Sequence, residues 1–250
     1  MPNLIAHIDI ALECRAKLCH PVIEANLGSH LLGSCSPDIR IITQGNRDDY
    51  HFAPISNQEI GTGVRKLFAE YPRMADMANL SGPTQAFMAG YISHLVADET
   101  WIIKIYRPYF GNPDVFPDRT LANVMDRAMQ LEMDRQATEK HDGMRLMGDR
   151  LVDAHVGVEV DFLSADSLKE WREFLSTAIQ REFTWERLGR MTRRQFPEDD
   201  GTAQALADDF VNGLPESLER VHKLVPREAL SSYRNAIVRE WSDIVQEYLP

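Results

Sequence analysis

Apolar residues recur every three or four positions along most of this chain, which is the spacing of amphipathic helices. The pattern predicts helices over the following ranges: 4–19, 59–79, 118–154, 166–194, 202–213, 215–223 and 226–248. No stretch of strict apolar and polar alternation is long enough to predict a sheet. We therefore expect an all-helical protein. We treat residues 1–250 as one domain, with residues 197–201 as the best candidate for a break.

The longest apolar helix is predicted over residues 82–107. Ser81 is a suitable N-cap, Pro83 fits the first helical turn, and Pro108 is expected to stop the helix. Since apolar residues occur all around this segment, we expect it to be buried in the interior.

Two segments closer to the N-terminus show weaker patterns. Residues 20–35 indicate a short helix followed by a turn at Gly33. Residues 36–58 have little periodicity and contain three residues typical of turns, so we expect a long structured loop there. A loop of this length inside a compact domain usually has a function.

The composition is typical of a globular protein, with 44% apolar and 26% charged residues. The longest apolar run is far shorter than the roughly 20 residues that a membrane-spanning helix needs. Near the start, His7, Asp9 and Glu13 interrupt the apolar block that a signal peptide requires. We therefore expect a cytoplasmic protein without a transmembrane segment.

The chain contains 27 basic and 38 acidic residues, which gives a net charge of −11. This charge argues against binding double-stranded nucleic acid or anionic membranes, since both attract basic surfaces. It permits a small anionic substrate if bound metal ions supply positive charge. Cys14, Cys19 and Cys35 are an odd number and lack C-x-x-C spacing, so we interpret them as reduced, mostly buried thiols.

His94 and Asp98 lie four residues apart on the predicted buried helix and therefore share one face. A buried imidazole and a buried carboxylate both need partners, because an unpaired buried charge is costly. Three interpretations are open: a hydrogen-bonded pair in the core, a metal site, or a catalytic dyad without metal. No serine or cysteine is obviously placed to act as the nucleophile of such a dyad.

Three more nitrogen or oxygen donors precede this pair. They are His7 in the first helix, Asp38 in a Pro-Asp turn, and His51 at the end of the irregular segment. Imidazole and carboxylate are the ligands that zinc and similar divalent ions take in proteins. Five such donors exceed the need of one ion but suit two ions that share a carboxylate, an arrangement that recurs in enzymes that cleave phosphate esters.

The order of these segments resembles the zinc-dependent phospholipase C family. The segments are AHIDIALECRA at 6–16, GSCSPDI at 33–39, YHF at 50–52 and AFMAGYISHLVADETW at 86–101. The specific part is the match of residues 86–101 to A-F-x-x-G-x-x-S-H-x-x-x-D-x-x-W. The resemblance covers residues 1–110 and fades over 111–250. That family includes bacterial phospholipases C and the catalytic domain of glycosylphosphatidylinositol phospholipase D.

The resemblance implies an all-helical fold around a metal cluster that contains two closely spaced zinc ions. The implied ligands are His7, Asp38, His51, His94 and Asp98, with Asp98 bridging the ions and Asp38 also acting as the general base. Asp9, Asp48 and Asp49 are close enough in sequence to accept hydrogen bonds from the ligand histidines.

The family also binds a further zinc ion through two histidines and a His-x-x-x-acid pair. His155 and Glu159 have that spacing, and His141 precedes them, so these three are candidates for a third site. The alternative is that all three lie on a solvated helix face. The family places one histidine soon after the tryptophan of the long helix, whereas residues 102–107 here read IIKIYR.

The function that the resemblance implies is hydrolysis of a phosphodiester by metal-activated water. The expected substrate is a small phosphodiester or a phospholipid head group, and four basic residues near the ligands in sequence could contact phosphate: Arg40, Arg47, Lys104 and Arg107. Two alternatives remain open. One is a phosphodiesterase similar to single-strand nucleases, and the other is a binding protein in which the ions are structural.

Overall fold

A computed structural model describes residues 1–141, 144–198 and 200–249 of the chain. Over these residues the protein is all-helical, as the sequence predicts, and contains no strand. Its α-helices are α1 (Leu4–Leu18), α2 (Pro21–Ala25), α3 (Leu27–Cys35), α4 (Arg40–Thr43), α5 (Arg47–His51), α6 (Thr62–Glu70), α7 (Pro72–Ala75), α8 (Gly82–Trp101), α9 (Arg119–Lys140), α10 (Arg145–Arg150), α11 (Ala165–Ala178), α12 (Arg187–Gln195), α13 (Thr202–Asn212), α14 (Glu216–Leu224) and α15 (Arg227–Tyr248). Shorter 3₁₀ turns occupy Ser36–Ile39 and Met77–Asn79.

Helix α8 is the centre of the molecule, and nearly all of its residues are buried. It begins as the sequence predicts: the Ser81 hydroxyl accepts a hydrogen bond from the Thr84 N–H at 3.2 Å, and Pro83 lies in the first turn. Helices α1, α3 and α15 pack around α8. Because α8 is surrounded on all sides, its polar side chains can only be satisfied by groups inside the protein.

Helices α3 and α8 touch through their backbones. A Cβ atom added at Gly90 would lie 1.9 Å from the carbonyl oxygen of His30, and one at Gly33 would lie 2.0 Å from that of Phe87. Glycine at both positions therefore permits a close approach that no other residue allows. Gly33 lies inside α3, so the predicted turn at Gly33 is wrong, and this close approach is why a glycine is there.

Helix α8 ends at Trp101, and the predicted stop at Pro108 is wrong, because the helical path continues past it. The chain continues as a wider helix over Ile102–Phe110, in which backbone N–H groups bond five residues back, as Gly111 N–H does to Tyr106 at 2.5 Å. Proline clashes with the carbonyl four residues earlier in an ordinary α-helix. The wider turn changes that register and accommodates the proline ring.

Residues 36–58 are not a long loop, because they contain the first 3₁₀ turn, α4 and α5. Each of these pieces is too short to show helical periodicity in the sequence. The predicted helix over 59–79 is broken into α6, α7 and a 3₁₀ turn, since Pro72 excludes helical geometry at Tyr71, where φ is −123° and ψ is 72°.

Two other long predictions are divided. The segment 118–154 forms α9 and α10, and residues 142 and 143 lie outside the described part. The segment 166–194 forms α11 and most of α12, with a non-helical connection between them. The proposed break at 197–201 falls between α12 and α13, and Asp199 in it lies outside the described residues.

A network of charges around the buried Asp9 joins three helices beside α8. Asp9 of α1 accepts hydrogen bonds from Lys140 Nζ at 2.8 Å and from the Arg234 guanidinium of α15. Arg234 also binds Glu13 at 3.0 Å, so α1, α9 and α15 are tied together at one place.

Within the described residues no helix is long and apolar enough to cross a membrane. Cys14, Cys19 and Cys35 are free thiols, of which only Cys19 is exposed.

Candidate metal centre

The fold brings all five predicted ligands to one side of α8. His94 and Asp98 lie on α8, His7 on α1, His51 at the end of α5, and Asp38 in the turn that follows α3. Their side-chain donor atoms form two groups, each within 4.8 Å: His7 with His94 and Asp98, and Asp38 with His51 and His94. These are the only such groups of three among the residues that the structure describes.

Backbone carbonyls set the hydrogen-bonding state of two histidines. Nδ1 of His94 lies 2.8 Å from the carbonyl oxygen of Ser34 in α3. Nδ1 of His51 lies 3.1 Å from the carbonyl oxygen of Arg47, one turn earlier in α5. A carbonyl only accepts hydrogen bonds, so each imidazole donates its Nδ1–H and keeps a lone pair on Nε2. The acceptors are thus backbone groups and not Asp9, Asp48 or Asp49.

The Nε2 atoms that carry these lone pairs point at each other. His51 Nε2 lies 3.2 Å from His94 Nε2, and Oδ2 of Asp98 lies 3.2 Å from the first and 3.7 Å from the second. Three acceptor atoms around one point repel each other unless a cation or a proton lies among them. Convergent imidazole and carboxylate donors, with the far nitrogen of each ring held by a carbonyl, are typical of metal ligands.

His7 adds a second face to the same cluster. Its ring stacks on that of His94 with 3.6 Å between centroids and 10° between planes. His7 Nε2 lies 3.5 Å from Oδ1 of Asp98, the oxygen that faces away from His51. Neither ring nitrogen of His7, nor Oδ1 of Asp98, has a hydrogen-bond partner among the described residues, although all three atoms are buried. Buried polar atoms without partners fit a group that is bound between them.

The charge states also suit cation binding. Burial lowers the pKa of His94 well below its usual value, and the adjacent His7 adds to this effect. Burial opposes ionisation of Asp98, but His94 and His51 outweigh it and hold the pKa of this carboxyl well below its ordinary range. At neutral pH the cluster therefore offers a neutral imidazole at His94 and a carboxylate at Asp98, the forms that bind metal.

Asp38 is the only one of the five candidate ligands that reaches solvent. Its side chain is 18% exposed, whereas His7, His51, His94 and Asp98 are at most 2% exposed as whole residues. Asp38 lines a cavity of about 370 Å³ between the start of α1 and the α11–α12 region. The donor cluster therefore opens to solvent on the Asp38 side.

Two of the four predicted phosphate-contacting residues lie beside the cluster. Arg47 Nη2 is 3.2 Å from Oδ2 of Asp98, and Arg40 Nε is 4.0 Å from Oδ1 of Asp38. The structure does not bring the other two there. Arg107 donates hydrogen bonds to the Ile55 carbonyl at 2.8 Å and to Gln58 at 3.1 Å, and Lys104 is exposed on its helix.

The three candidates for a third metal site are not brought together in the described part of the chain. His141 lies beside α1, where its Nε2 is 2.8 Å from Oδ1 of Asp9 in the charge network around this residue. His155 and Glu159 are not on a helix, since residues 151–157 form turns and residues 158–160 are irregular. The His-x-x-x-Glu spacing therefore does not put these two residues on one helix face.

Four arginines that the sequence did not single out lie near the cluster. They line the same cavity as Asp38: Arg181, Arg187, Arg190 and Arg194. The spacing of Arg187, Arg190 and Arg194 is a helical signal that could have identified a basic face. The net charge of −11 does not indicate this basic face, because a net charge does not show where the positive charges lie.

A buried carboxylate near His7 was also missed. Asp134 of α9 accepts the N–H of Ala6 at 3.1 Å and lies 3.1 Å from Arg187 Nη2. Burial raises the pKa of Asp134 to about 6, and Arg187 opposes this rise. Asp134 thus connects the start of α1, where His7 lies, to the arginine face of α12.

Comparisons with known proteins identify no family for this chain. The chain matches no protein-family model, and it has no significant match among curated proteins or solved structures.

Proposed function

We propose that this protein is a metal-dependent hydrolase that cleaves phosphodiesters. The observation that carries the proposal is the convergence of His51 Nε2, His94 Nε2 and Asp98 Oδ2 within 3.7 Å of one another, while the Nδ1 atom of each histidine faces a backbone carbonyl. Support comes from His7 and Asp38 on either side and from the basic cavity that Asp38 lines. The sequence resemblance to zinc-dependent phospholipases C points to the same chemistry.

Zinc is the ion that we propose for the centre, because imidazole nitrogens and carboxylate oxygens are its common ligands. His94 belongs to both donor groups, yet its single free lone pair can bind only one ion. Asp98 has one oxygen facing His7 and the other facing His51. If two ions are bound, Asp98 is therefore the residue that bridges them.

The chain's own residues have separate roles in this reaction. Divalent ions in such a centre stabilise charge on phosphoryl oxygens and make water acidic enough to attack at neutral pH. Asp38, the ligand that reaches the cavity, orients the attacking water and accepts its proton. Arg40 and Arg47 place positive charge beside Asp38 and Asp98 and would attract the substrate phosphate.

The substrate class that we propose is a small phosphodiester that enters from the Asp38 side. A free phosphodiester agrees better with the charge of −11 than an anionic membrane surface or a nucleic-acid duplex does. A phospholipid head group and the end of a single-stranded nucleic acid share the same reacting group. Assays on isolated substrates separate them.

A structural metal site is the second candidate, and one observation favours it. Four of the five ligands are at most 2% exposed, and buried sites in which protein residues fill every position are typically structural. Such a site would tie α1, α5 and α8 together without catalysis. Metal removal would then change stability and have no activity to abolish.

The test combines elemental analysis of the purified protein with three hydrolysis assays. The substrates are bis(4-nitrophenyl) phosphate, 4-nitrophenyl phosphorylcholine and 4-nitrophenyl phosphate. We expect one to two zinc ions per chain and hydrolysis of diesters in preference to the monoester, with loss of activity on chelation. Stoichiometric metal without hydrolysis of any diester would support the structural candidate, and a metal-free, inactive protein would overturn both.

A further inference from the structure

The cavity next to Asp38 has a charge pattern that the metal centre does not explain. Three of its arginines lie on α12 at positions 187, 190 and 194, which is the spacing of one helix face. Arg181 approaches the same cavity from the connection after α11. The net charge of the chain is −11, so this group of guanidinium groups is a local concentration of positive charge. It surrounds the cavity through which Asp38 reaches solvent.

Most of these arginines lack acidic partners. Arg187 forms an ion pair with Asp134, whereas Arg181, Arg190 and Arg194 are exposed and form no ion pair with a carboxylate of the described residues. Like charges three and four residues apart on a helix repel and lower its stability. A stabilising role does not account for this face, whereas the binding of an anionic ligand does.

The rest of the cavity wall defines what kind of ligand fits. Leu4 and Ile5 of α1 and Phe174 of α11 provide apolar walls, while Glu182 and Asp38 provide carboxylates. A volume of about 370 Å³ is at the lower end of the range for small-molecule sites, roughly 300–1,000 Å³. A small molecule with an apolar or planar middle and negative charge at both ends suits this arrangement.

We infer that Arg190 and Arg194 bind a second phosphate of the substrate, while the scissile phosphodiester lies at the Asp38 end of the cavity. The inference rests on the proposed phosphodiester hydrolysis and narrows its substrate class to diesters that carry another phosphate group. Guanidinium groups bind phosphate through paired charge-assisted hydrogen bonds. Concentrated positive charge at a cavity also attracts a polyanion despite the negative charge of the whole protein.

The direct test is calorimetric titration of the purified full chain with three probes that differ by one phosphate each. They are thymidine 3′,5′-bisphosphate, thymidine 3′-phosphate and thymidine. We expect the bisphosphate to bind about tenfold more tightly than the monophosphate. The monophosphate lacks the charge-assisted hydrogen bonds of the second phosphate, and their loss has an effect of this size. The double variant Arg190→Gln/Arg194→Gln should remove that difference, and Arg190→Lys/Arg194→Lys should restore part of it.

Arg193→Gln is the matched control. Arg193 lies on the same helix, but it donates a hydrogen bond to Gln204 of α13 at 2.7 Å and does not line the cavity. This variant removes one positive charge from the same helix, where the double variant removes two, and it should keep the preference for the bisphosphate. Equal binding of the two nucleotides by the unmodified protein, or an equal loss in Arg193→Gln, would overturn the inference.

A kinetic experiment separates this inference from the proposed function. The substrates are thymidine 3′-(4-nitrophenyl phosphate) with and without a 5′-phosphate. We expect the 5′-phosphate to raise kcat/KM about tenfold in the unmodified protein and in Arg193→Gln, but not in the double variant. If neither ester is hydrolysed while the calorimetric preference persists, the proposed hydrolysis fails and the anion site stands.

Discussion

The Nε2 atoms of His51 and His94 face each other at 3.2 Å. Each ring donates a hydrogen bond from its Nδ1–H to a backbone carbonyl. Two lone pairs at this distance favour a bound cation. His51 is held beside α8 at the end of α5, where the Tyr91 hydroxyl of α8 donates a hydrogen bond to the Tyr50 carbonyl.

Replacement of the shared ligands should remove metal and activity together. We expect His94→Ala and Asp98→Asn each to abolish both stoichiometric metal binding and diester hydrolysis, because each removes a donor from the centre of the cluster. The measurements are elemental analysis and the rate on bis(4-nitrophenyl) phosphate. His222→Gln on α14 is the control, since His222 Nδ1 lies 3.2 Å from the Val225 carbonyl and away from these ligands. Full activity in a metal-free His94→Ala protein would contradict the proposed function.

Asp38→Asn should separate proton transfer from metal binding. Asparagine keeps an oxygen that can bind metal but accepts a proton poorly, so we expect kcat to fall by about 10²–10⁴. Metal content should fall much less than in His94→Ala. The rise of kcat with pH that a general base produces should also be absent. Retention of normal kcat and pH profile in this variant would assign the proton to another group.

Removal of metal should destabilise the protein. A ligand at 100 times its dissociation constant adds about 2.7 kcal/mol to the free energy of unfolding. We therefore expect chelation to lower the denaturation midpoint, and added Zn²⁺ to restore it. The double variant His51→Ala/His94→Ala is the control and should show no response to Zn²⁺. A midpoint that is the same with and without chelator would argue against a tightly bound ion.

The contact between α3 and α8 should be intolerant of any side chain at Gly90. Its Cβ would lie 1.9 Å from the His30 carbonyl, so we expect Gly90→Ala to lower the free energy of unfolding by about 3 kcal/mol, as overpacking does. Separation of the helices also moves Ser34 from His94, so metal affinity should fall as well. Gly82→Ala is the control, because its Cβ would meet only the Asn26 side chain, at 3.2 Å. Chemical denaturation measures the free energy of unfolding of both variants.

The carboxyl of Asp134 should make stability depend on pH. Its pKa is about 6 in the folded protein and about 3.9 when unfolded, so the folded state binds more protons between these values. The contribution of Asp134 to stability should therefore be most favourable below about pH 4, fall as pH rises to 6, and remain reduced above it, by at most about 3 kcal/mol. Asp134→Asn should remove this loss and stabilise the chelator-treated protein at pH 7.5 more than at pH 4.5. The exposed Asp166→Asn is the matched control, and identical effects at both pH values would contradict this account.

How much the sequence determined is clearest at α8. The N-cap at Ser81, the buried character of the helix and the common face of His94 and Asp98 all follow from residues close together in the chain. Such features depend on helical periodicity and capping, which are local. The same periodicity predicted the all-helical class, and the order of donors His7, Asp38, His51, His94 and Asp98 predicted which residues would meet.

Only the tertiary structure decided how the remaining polar groups are used. It placed His141 against Asp9, and it placed Arg190 and Arg194 on the wall of the cavity that Asp38 also lines. It also supplied the Ser34 carbonyl that leaves the Nε2 lone pair of His94 free, because glycines let α3 approach α8. These relationships join residues far apart in the chain. They depend on how helices pack and on where backbone groups approach, which no local pattern of side chains specifies.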